Sequence, residues 1–469
     1  MKLTLVLRSA PSFPGSYNTN RFRHYIRNMA CTELHPPTTV RGMTVLDRDA
    51  FIKHVRVPVL KVPENLDFNL ICTQVKTLLL KMERNKPVKA DKREIMLHPS
   101  VVQSWSDVRL EDKGLEEENL LWQTILLKYE NWKYNEILKA VLPDEDSLSA
   151  FSKIGHIIHL NLKDHLLPYK TLIGEVLMDK IPACRTVVNK LNTIDNTYRN
   201  FQMDLLAGEE NYQVSVKENG VTFEFDFSKV YWNPRLATEH EKIVKMLNKD
   251  DILLDVYAGV GPFSVPAARK GCIVLANDLN PDSYKSLLGN CLKNKVNSRT
   301  TCFNKNGIDF IREEIRAEIL TKNQDNCFNG DIHITMNLPA LAVEHLSYYV
   351  GLLKGESLKL TKYPLVHVYC FAKGAVDHEG IAQGMVEQNI GLALSTNLKE
   401  IAFVRNVAPN KNLMRISFYL TEEILFSNSA DLKRSADVSF DSLNKRLRVN
   451  NGEKEREEPQ PAEADCQKS

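Results

Sequence analysis

The sequence predicts a doubly wound α/β sheet in the C-terminal half of the chain, preceded by two smaller α+β segments. Four short apolar runs without alternation lie in that half, at Ile252–Val256, Ile273–Asn277, Ile332–Met336 and Leu365–Phe371. Strands that are buried on both faces of a parallel sheet have this pattern. Stretches with helical spacing separate the runs, and this alternation indicates an open sheet covered by helices on both faces.

The first α+β segment is predicted to span residues 35–142. Alternating β-branched and polar residues between Arg41 and Pro63 indicate short strands. Apolar residues at helical spacing run from Leu115 to Leu142 and indicate a helix. The polar run at 143–147 breaks the helical pattern, and we interpret it as a linker.

The second segment is predicted to span residues 150–232 and to be mostly β. It contains several strand-like runs and one helical stretch near Tyr169–Lys180. Asn219-Gly220 lies between two alternating runs, and this dipeptide is a strong signal for a tight hairpin turn. The α/β domain is then predicted to occupy residues 233–426.

The two ends of the chain differ in composition from the rest. Residues 1–34 are basic and rich in hydroxyl side chains, with no acid before Glu33, which is typical of a mitochondrial targeting leader. A disordered basic N-terminus is the alternative. We therefore expect the protein in the mitochondrial matrix, with cytoplasmic and nuclear forms if synthesis starts at Met29 or Met43. Residues 427–469 are charged and polar, and we interpret them as a disordered tail.

The overall composition excludes several classes of protein. Hydrophobic residues make up 43% and charged residues 26% of the 469 residues, which is a globular balance. No apolar stretch approaches the roughly 18 residues of a membrane helix, so no membrane partner is expected. The nine cysteines form no C-x-x-C pair, which argues against a zinc site or a disulfide framework. The net charge of +2 leaves any RNA binding to local patches. We expect a monomer.

A glycine loop directly follows the first strand of the predicted sheet. It runs from Asp255 to Phe263, and its Gly259 and Gly261 allow a sharp turn and a close approach of the backbone to a ligand. Ligands of open α/β sheets bind at this carboxyl end of the strands. A third glycine of the dinucleotide fingerprint is replaced by Ser264. An acid before the loop favours a ligand with positive charge over a pyrophosphate.

Polar side chains also end the next strands of the sheet. Asp278 lies 23 positions after Asp255, where a carboxylate accepts hydrogen bonds from the ribose hydroxyls of an adenosine. A turn or a helix cap is the alternative role of such an aspartate. Asn337 follows the strand Ile332–Met336 and offers both a donor and an acceptor at the same sheet edge.

A conspicuous arginine and glutamate precede the sheet. Arg235 and Glu239 are four residues apart, so they share one face of a helix, where a surface ion pair is the simplest explanation. Their place at the junction of two domains favours a binding site instead. The neighbouring Tyr231 and Trp232 suit either stacking on a nucleic-acid base or packing in the core.

Together these motifs resemble the archaeal and eukaryotic tRNA guanine-N1 methyltransferases, which act on position 37 next to the anticodon. Four stretches carry the resemblance in the same order: Val230–Leu236, Asp255–Phe263, Asn277–Pro281 and Asn337–Pro339. The resemblance covers roughly residues 150–425. It implies a class I (Rossmann-like) methyltransferase fold with N-terminal RNA-binding domains, S-adenosylmethionine as the cofactor and tRNA as the partner.

The resemblance also implies roles for individual side chains. Arg199 matches the arginine that faces the guanine O6, and Arg235 and Glu239 match a helical pair whose glutamate is the proposed base. The matches to the cofactor pocket are His240, Asp278, Leu279 and Asn337. One departure concerns the adenine site, where the family usually has Asp-Gly and this chain has Asn306-Gly307. An asparagine carbonyl still accepts a hydrogen bond from the adenine amino group.

This chemistry is consistent with the residues themselves. Guanine N1 carries a proton, so a methyl acceptor at N1 needs a base for that proton and a cation near O6. Glu239 and Arg199 supply these groups, and Arg235 is expected to orient the glutamate. A methyltransferase of another RNA or of protein, and a catalytically degenerate RNA-binding protein, are the alternatives. A dehydrogenase is disfavoured by Ser264.

Overall fold

The computed structural model describes residues 34–110, 113–143, 148, 151–194 and 201–427. The predicted leader (up to residue 33), most of the predicted linker, Arg199 and the tail beyond residue 427 lie outside the described residues. The chain divides into two compact units. One comprises the residues up to Lys190 together with 203–210, and the other comprises the remainder.

The N-terminal part of the chain is built on two four-stranded sheets. Its strands are β1 Lys53–Lys61, β2 Val88–Lys89, β3 Glu94–Met96, β4 Leu120–Leu127, β5 Ser152–Ile154, β6 Ile157–Leu160, β7 Thr186–Ile194 and β8 Phe201–Gly208. The strand orders are β2-β3-β1-β4 and β5-β6-β7-β8. The α-helices described here are α1 Phe68–Gln74, α2 Tyr134–Val141 and α3 Lys170–Lys180. The helix predicted near Tyr169–Lys180 is therefore confirmed.

The helix predicted from Leu115 to Leu142 is wrong over its first half. Residues 120–127 form the strand β4, which pairs antiparallel with β1 along eight residues, and a helix begins only at Tyr134. Apolar residues occur on both faces of this edge strand, so their spacing imitates a helical period. The strands predicted between Arg41 and Pro63 reduce to β1 alone.

One hydrophobic cluster joins the two predicted α+β segments. Val57 and Trp132 from the first segment and Leu172 and Val187 from the second all belong to this buried cluster. The predicted boundary near residue 150 therefore crosses a continuous core, and the first segment lies in the same compact unit as residues 151–190 and 203–210 of the second. Contact between their apolar faces, which a linker of polar composition does not reveal, explains the difference.

The second unit contains the remaining strands and helices. Its strands are β9 Gln213–Glu218, β10 Val221–Asp226, β11 Ile252–Asp255, β12 Ile273–Asn277, β13 Thr300–Phe303, β14 Ile332–Met336, β15 Leu365–Lys373, β16 Leu398–Ala408 and β17 Lys411–Tyr419. Its α-helices are α4 Ala237–Met246, α5 Ser264–Lys270, α6 Pro281–Lys293, α7 Gly307–Phe310, α8 Arg316–Gln324, α9 His378–Ile390 and α10 Glu422–Leu425.

The doubly wound sheet is confirmed. Seven strands follow the order β13-β12-β11-β14-β15-β17-β16, and the five strands from β13 to β15 run parallel. The strand β17 pairs antiparallel with both β15 and β16. Strand order reverses at β11, so the loops after β11, β12 and β14 meet at the point where such sheets bind ligands. The edge strand β13 carries polar, partly exposed residues and gave no apolar run to predict it.

The predicted hairpin at Asn219-Gly220 is confirmed as the turn between β9 and β10. Both turn residues have a positive φ, of 50° and 75°, as a two-residue hairpin of this type requires. The hairpin belongs to the second unit rather than to the segment before it. A hydrogen bond of 2.8 Å from the Glu224 amide to Asn290 Oδ1 on α6 fixes it there. Within the described residues, no helix combines the length and apolar character needed to cross a membrane.

Candidate active site

The glycine loop after β11 has the backbone that the sequence predicts. Gly259 and Gly261 have φ values of +56° and +99°. A Cβ at Gly261 would lie 2.8 Å from the side chains of Leu287 and Val265, so this glycine is required for packing. A Cβ at Gly259 would meet no atom within 4 Å. Gly259 therefore borders open space, where a ligand can approach the backbone.

Asp255 is placed differently from the expected ligand-facing carboxylate. It is fully buried, and its two oxygens accept hydrogen bonds from Ser264 Oγ at 2.6 Å and Thr335 Oγ1 at 2.9 Å. Asp255 thus fastens the first residue of α5 and the strand β14 to the end of β11. Its carboxylate therefore stabilises the loop conformation from the protein interior and does not itself line the ligand space.

Burial raises the pKa of the Asp255 carboxyl to about 6, and the nearby charge of Asp278 adds to the effect, while the two hydrogen bonds oppose it. The folded state therefore binds this proton more tightly than the unfolded chain, so the stability penalty of the ionised group is absent below about pH 4 and complete above about pH 6. Asp255→Asn has no charge to desolvate. We expect its free energy of unfolding to rise relative to wild type across this window, by on the order of 3 kcal/mol.

Denaturant unfolding of both proteins at a series of pH values measures this difference. Asp250→Asn is the control, because the Asp250 side chain is largely exposed. Parallel pH profiles for wild type and Asp255→Asn would mean that Asp255 is not the buried titrating group.

Asp278 closes the glycine loop from the neighbouring strand. Its Oδ2 accepts a hydrogen bond from the Gly259 amide at 2.8 Å, and its Oδ1 accepts one from the Asn280 amide at 2.9 Å. Burial raises the pKa of this carboxyl, and the two amide hydrogen bonds oppose the rise. Each oxygen keeps a lone pair for a ligand hydroxyl. The next residue, Leu279, is 39% exposed and offers an apolar surface beside the carboxylate.

Asn277 and Asn306 build the third side of the cleft. The buried Asn277 amide donates to the carbonyls of Val256 and Lys305, which ties together the loops after β11 and β13. Asn306 is exposed and caps α7 by accepting a hydrogen bond from the Ile308 amide at 2.9 Å. The second lone pair of this carbonyl remains for an adenine amino group.

Gly307 is required by its neighbour in the cleft. It is buried against the ring of Tyr257, and a Cβ at this position would lie 2.7 Å from the ring. The Tyr257 hydroxyl is itself hydrogen-bonded to His345 Nδ1. The Asn306-Gly307 pair therefore has a structural role that the sequence did not reveal.

Asn337 lies at the carboxyl end of β14, as expected. Its side chain is partly exposed and forms no hydrogen bond with any residue that the structure describes. Most polar groups near a protein interior have partners, so an amide that has none at the mouth of a sheet is suited to a ligand. Asn337 thus has both its donor and its acceptor available.

His240 lies on α4 and is held by a carboxylate that sequence reasoning missed. Its Nδ1 donates to Glu218 Oε1 on the hairpin strand β9 at 2.6 Å, and both side chains are buried. Its ring meets Phe263 edge to face, with 4.8 Å between ring centroids. Because Phe263 ends the glycine loop, His240 is in direct contact with that loop. Its Nε2 remains for a ligand.

Glu239 is buried, and its partner is not the predicted one. Its Oε1 accepts hydrogen bonds from Arg415 Nε at 2.7 Å and from the Tyr369 hydroxyl at 2.9 Å. Arg235 lies in a single 3-10 turn before α4, is exposed, and forms no ion pair within the described part of the chain. The expectation that Arg235 orients the glutamate is therefore wrong. The carboxylate is paired instead with the buried Arg415 of β17.

The aromatic residues near Glu239 divide between the two predicted roles. Trp232 is buried and packs between Phe223 and Phe225, with centroid distances of 5.2 and 5.1 Å. Tyr231 is 59% exposed. Tyr231 is thus available to stack on a base, whereas Trp232 belongs to the core.

A signal for the missed partner was present in the sequence. Arg415 lies inside the apolar run of β17, and an arginine is rarely fully buried without a carboxylate. Tyr369 similarly lies in the middle of a buried strand, where its hydroxyl needs an acceptor. Neither signal identifies Glu239 as the partner, because β15, β17 and α4 are far apart along the chain.

These residues fit the group that the resemblance implies. S-adenosylmethionine needs a carboxylate for its ribose hydroxyls, hydrogen-bonding groups for its polar ends and space against the backbone. Asp278, the unpartnered Asn337 and the open surface over Gly259 supply these features. Leu279 adds an apolar contact for the adenosine.

Comparison with known proteins decides the family. Residues 134–211 match the TYW2 N-terminal domain, and residues 214–378 match the TRM5/TYW2 methyltransferase domain. The tRNA (guanine(37)-N(1))-methyltransferase of Aedes aegypti is 65% identical over 436 residues, which cover 92% of this chain and 78% of the relative. The chain belongs to the tRNA (guanine(37)-N(1))-methyltransferase family. The resemblance found in the sequence is thereby confirmed.

More distant members of this family agree. The tRNA (guanine(37)-N(1))-methyltransferase of Homo sapiens is 45% identical over 416 residues, covering 85% of this chain and 80% of the relative. The crystal structure of wild-type Trm5b from Pyrococcus abyssi is similar in fold, with a TM-score of 0.52 at 21% identity. The superposed region covers 78% of this chain and 98% of that protein. The predicted class I methyltransferase fold is confirmed, and the chain is a methyltransferase.

Proposed function

We propose that this protein transfers a methyl group from S-adenosylmethionine to N1 of guanine at position 37 of tRNA, next to the anticodon. Relatives that are named for this activity align with this chain over most of their own length. The observation that carries the proposal is the contact network around Phe263. This residue ends the glycine loop and its ring contacts the ring of His240. The ring centroids of Phe263 and Tyr369 are 6.1 Å apart, and the Tyr369 hydroxyl donates a hydrogen bond to Glu239. A buried carboxylate thus lies next to the glycine loop.

The residues of the cleft have separate roles in cofactor binding and in catalysis. S-adenosylmethionine, when bound, supplies an electrophilic methyl group. Asp278 and Asn337 hold its polar groups, and Glu239 removes the proton from guanine N1 as the methyl acceptor forms. We assign to Arg199, from its match to the family, the stabilisation of charge on O6.

The exposed cation Arg235 then contacts the RNA and not the glutamate. The nearby exposed Tyr231 gives it an aromatic neighbour on which a displaced base can stack. We assign the grip on the remainder of the tRNA to the N-terminal unit. On its surface the Arg56 guanidinium lies 5.6 Å from the ring centroid of the exposed Trp122, and such pairs suit RNA binding.

The substrate class is tested by offering competing acceptors. The protein is incubated with S-adenosylmethionine carrying a labelled methyl group and with total tRNA, messenger RNA or a protein mixture. We expect label in tRNA alone, recovered as 1-methylguanosine after digestion to nucleosides. Label in protein, in messenger RNA or in another nucleoside would overturn the proposal.

We also propose that residues 1–34 direct the protein to the mitochondrial matrix. The support is their composition, which combines basic and hydroxyl residues with no acid before Glu33. Fused to a fluorescent reporter, this leader should bring the reporter into mitochondria. Replacing Arg21, Arg23 and Arg27 by glutamate should abolish import, because it reverses the charge that drives it.

The control leader has lysine at the same three positions and should still import, since it keeps the charge. Import of the glutamate leader, or a native leader that stays cytosolic, would refute the targeting proposal. Methyl transfer by the purified variants should equal that of wild type.

A further inference from the structure

Arg415 is a buried cation that donates hydrogen bonds to three acceptors. It is 1% exposed at the centre of β17. Its Nε binds Glu239 Oε1 at 2.7 Å, and its Nη1 donates to Ser417 Oγ at 2.6 Å and to Glu400 Oε2 at 3.0 Å. A guanidinium held by three acceptors in a planar fork cannot rotate without losing charge-assisted hydrogen bonds. Arg415 thus presents its Nε to Glu239 in one orientation.

A line of buried hydrogen bonds continues from Ser417 across the sheet. Ser417 Oγ lies 2.8 Å from His367 Nδ1, and His367 Nε2 lies 3.1 Å from His333 Nδ1. The His333 Nε2 in turn faces Asp251 at 3.8 Å. Burial, followed by the nearby His333 and Arg415, lowers the pKa of His367 well below its usual range, so its ring is neutral.

The direction of this line follows from its two ends. Arg415 can only donate, so the Ser417 oxygen accepts its hydrogen bond, and the Asp251 carboxylate can only accept. If Ser417 donates to His367 and His367 donates to His333, the remaining N–H of His333 points at Asp251. The opposite direction would turn an unprotonated ring nitrogen towards the carboxylate. The line therefore has one consistent arrangement, which fixes Ser417 and, through it, Arg415.

Glu239 is bound asymmetrically by these groups. Its Oε1 takes both the Arg415 and the Tyr369 hydrogen bonds, whereas its Oε2 forms none with the residues that the structure describes. In the described part of the chain, Oε2 is not one of the polar atoms that are fully buried without a partner. Its unpaired side is therefore open. One oxygen is thus anchored, and the other is available to a substrate proton.

We propose that Arg415 and Tyr369 are positioning residues, which anchor Glu239 Oε1 so that Oε2 faces the N1 proton of the guanine. This proposal rests on the proposed function, because it assumes that Glu239 is the base. A displacement of about 1 Å in a catalytic group can cost on the order of 10² in rate. Anchoring by two donors from two neighbouring strands, β15 and β17, prevents such a displacement.

The test is a double-mutant cycle under single-turnover conditions with saturating tRNA and cofactor. Arg415→Gln and Tyr369→Phe are each made in the wild-type chain and in Glu239→Gln. If they act through Glu239, each lowers the wild-type rate, Arg415→Gln by at least about tenfold. The same substitutions then leave the rate of Glu239→Gln unchanged, because no base remains to be positioned.

The pH profile supplies a readout that a purely structural role would not move. Among the described residues, the charged and titratable groups around Glu239 are Arg415 and Tyr369 in the sheet, Glu400 beside Arg415, Asp255 near Tyr369, and the adjacent His240 with its partner Glu218. Removing a neighbouring positive charge makes a carboxylate harder to ionise. Arg415→Gln should therefore move the acidic limb of the pH–rate profile to higher pH, whereas Tyr369→Phe removes a hydrogen bond without removing a charge and should move it less.

The controls and outcomes separate the possibilities. Arg405→Gln on β16 and Tyr419→Phe on β17 are matched substitutions that should leave the rate unchanged. Cofactor affinity by calorimetry reports whether each variant is folded, and the isosteric Tyr369→Phe provides the test if Arg415→Gln does not fold. Equal rate losses in both backgrounds, or no loss in Tyr369→Phe and an unmoved pH profile in Arg415→Gln, would overturn the positioning roles. Absence of tRNA methylation by wild type would instead reject the proposed function itself.

Discussion

Glu239→Gln should lower the single-turnover rate of methyl transfer by roughly 10²–10⁴, the usual contribution of a positioned general base. Glutamine keeps the shape of the side chain and can still accept hydrogen bonds from Arg415 and Tyr369. It cannot take the N1 proton of guanine. The affinities for tRNA and cofactor should therefore stay within a few-fold of wild type, and the loss should appear in the chemical step.

Glu241→Gln is the matched control for this substitution. Glu241 lies on the same helix, is about half exposed, and within the described residues forms an ion pair with Lys245 alone, and such a surface pair contributes little. The Glu239→Gln variant should also recover part of its rate at high pH, where hydroxide replaces the missing base. Near-normal chemistry in Glu239→Gln at neutral pH would show that Glu239 is not the base.

Asp278→Ala should weaken cofactor binding by at least about tenfold, which corresponds to about 1.4 kcal/mol. A hydrogen bond to a charged group contributes about 1.5–3 kcal/mol, and the carboxylate offers two to the ribose. The substitution also removes the acceptor for the Gly259 and Asn280 amides. The loop thus loses its anchor at the same time, which adds to the loss of affinity.

Isothermal titration calorimetry with S-adenosylmethionine measures this change. Asp282→Asn is the control, because Asp282 is a half-exposed aspartate four residues further along the chain. Thermal unfolding of both variants reports their integrity. An unchanged dissociation constant in a folded Asp278→Ala variant would exclude Asp278 from the cofactor site.

The parts of the fold that the sequence predicts are those governed by local chemistry. The hairpin at Asn219-Gly220 needs two residues with positive φ, and few residue pairs satisfy this condition. The strands β11, β12 and β14 are mostly apolar and almost entirely buried, as strands covered on both faces of a parallel sheet are. By contrast, β4 owes its strand conformation to pairing with β1, a partner 60 to 74 residues earlier that no local pattern reveals.

The candidate site follows the same division. The loop residues Gly259, Asp278 and Asn337 were predictable, because each directly follows a strand and the carboxyl ends of parallel strands meet. The partners of Glu239 were not, since Arg415 lies 176 residues away and reaches it only through the sheet order. The spacing of Arg235 and Glu239 was misleading, because Arg235 lies in a 3-10 turn before the α-helix that carries Glu239.

The position of the methyl group tests the central claim most directly. Two transcripts of one tRNA are compared that differ only in having guanine or adenine at position 37, each incubated with the protein and labelled S-adenosylmethionine. Mass spectrometry of nuclease fragments then locates the methyl group. We expect one methyl group per guanine-37 transcript, on N1 of that base, and none on the adenine-37 transcript. Equal methylation of both transcripts, or a methyl group at any other position, would contradict the account.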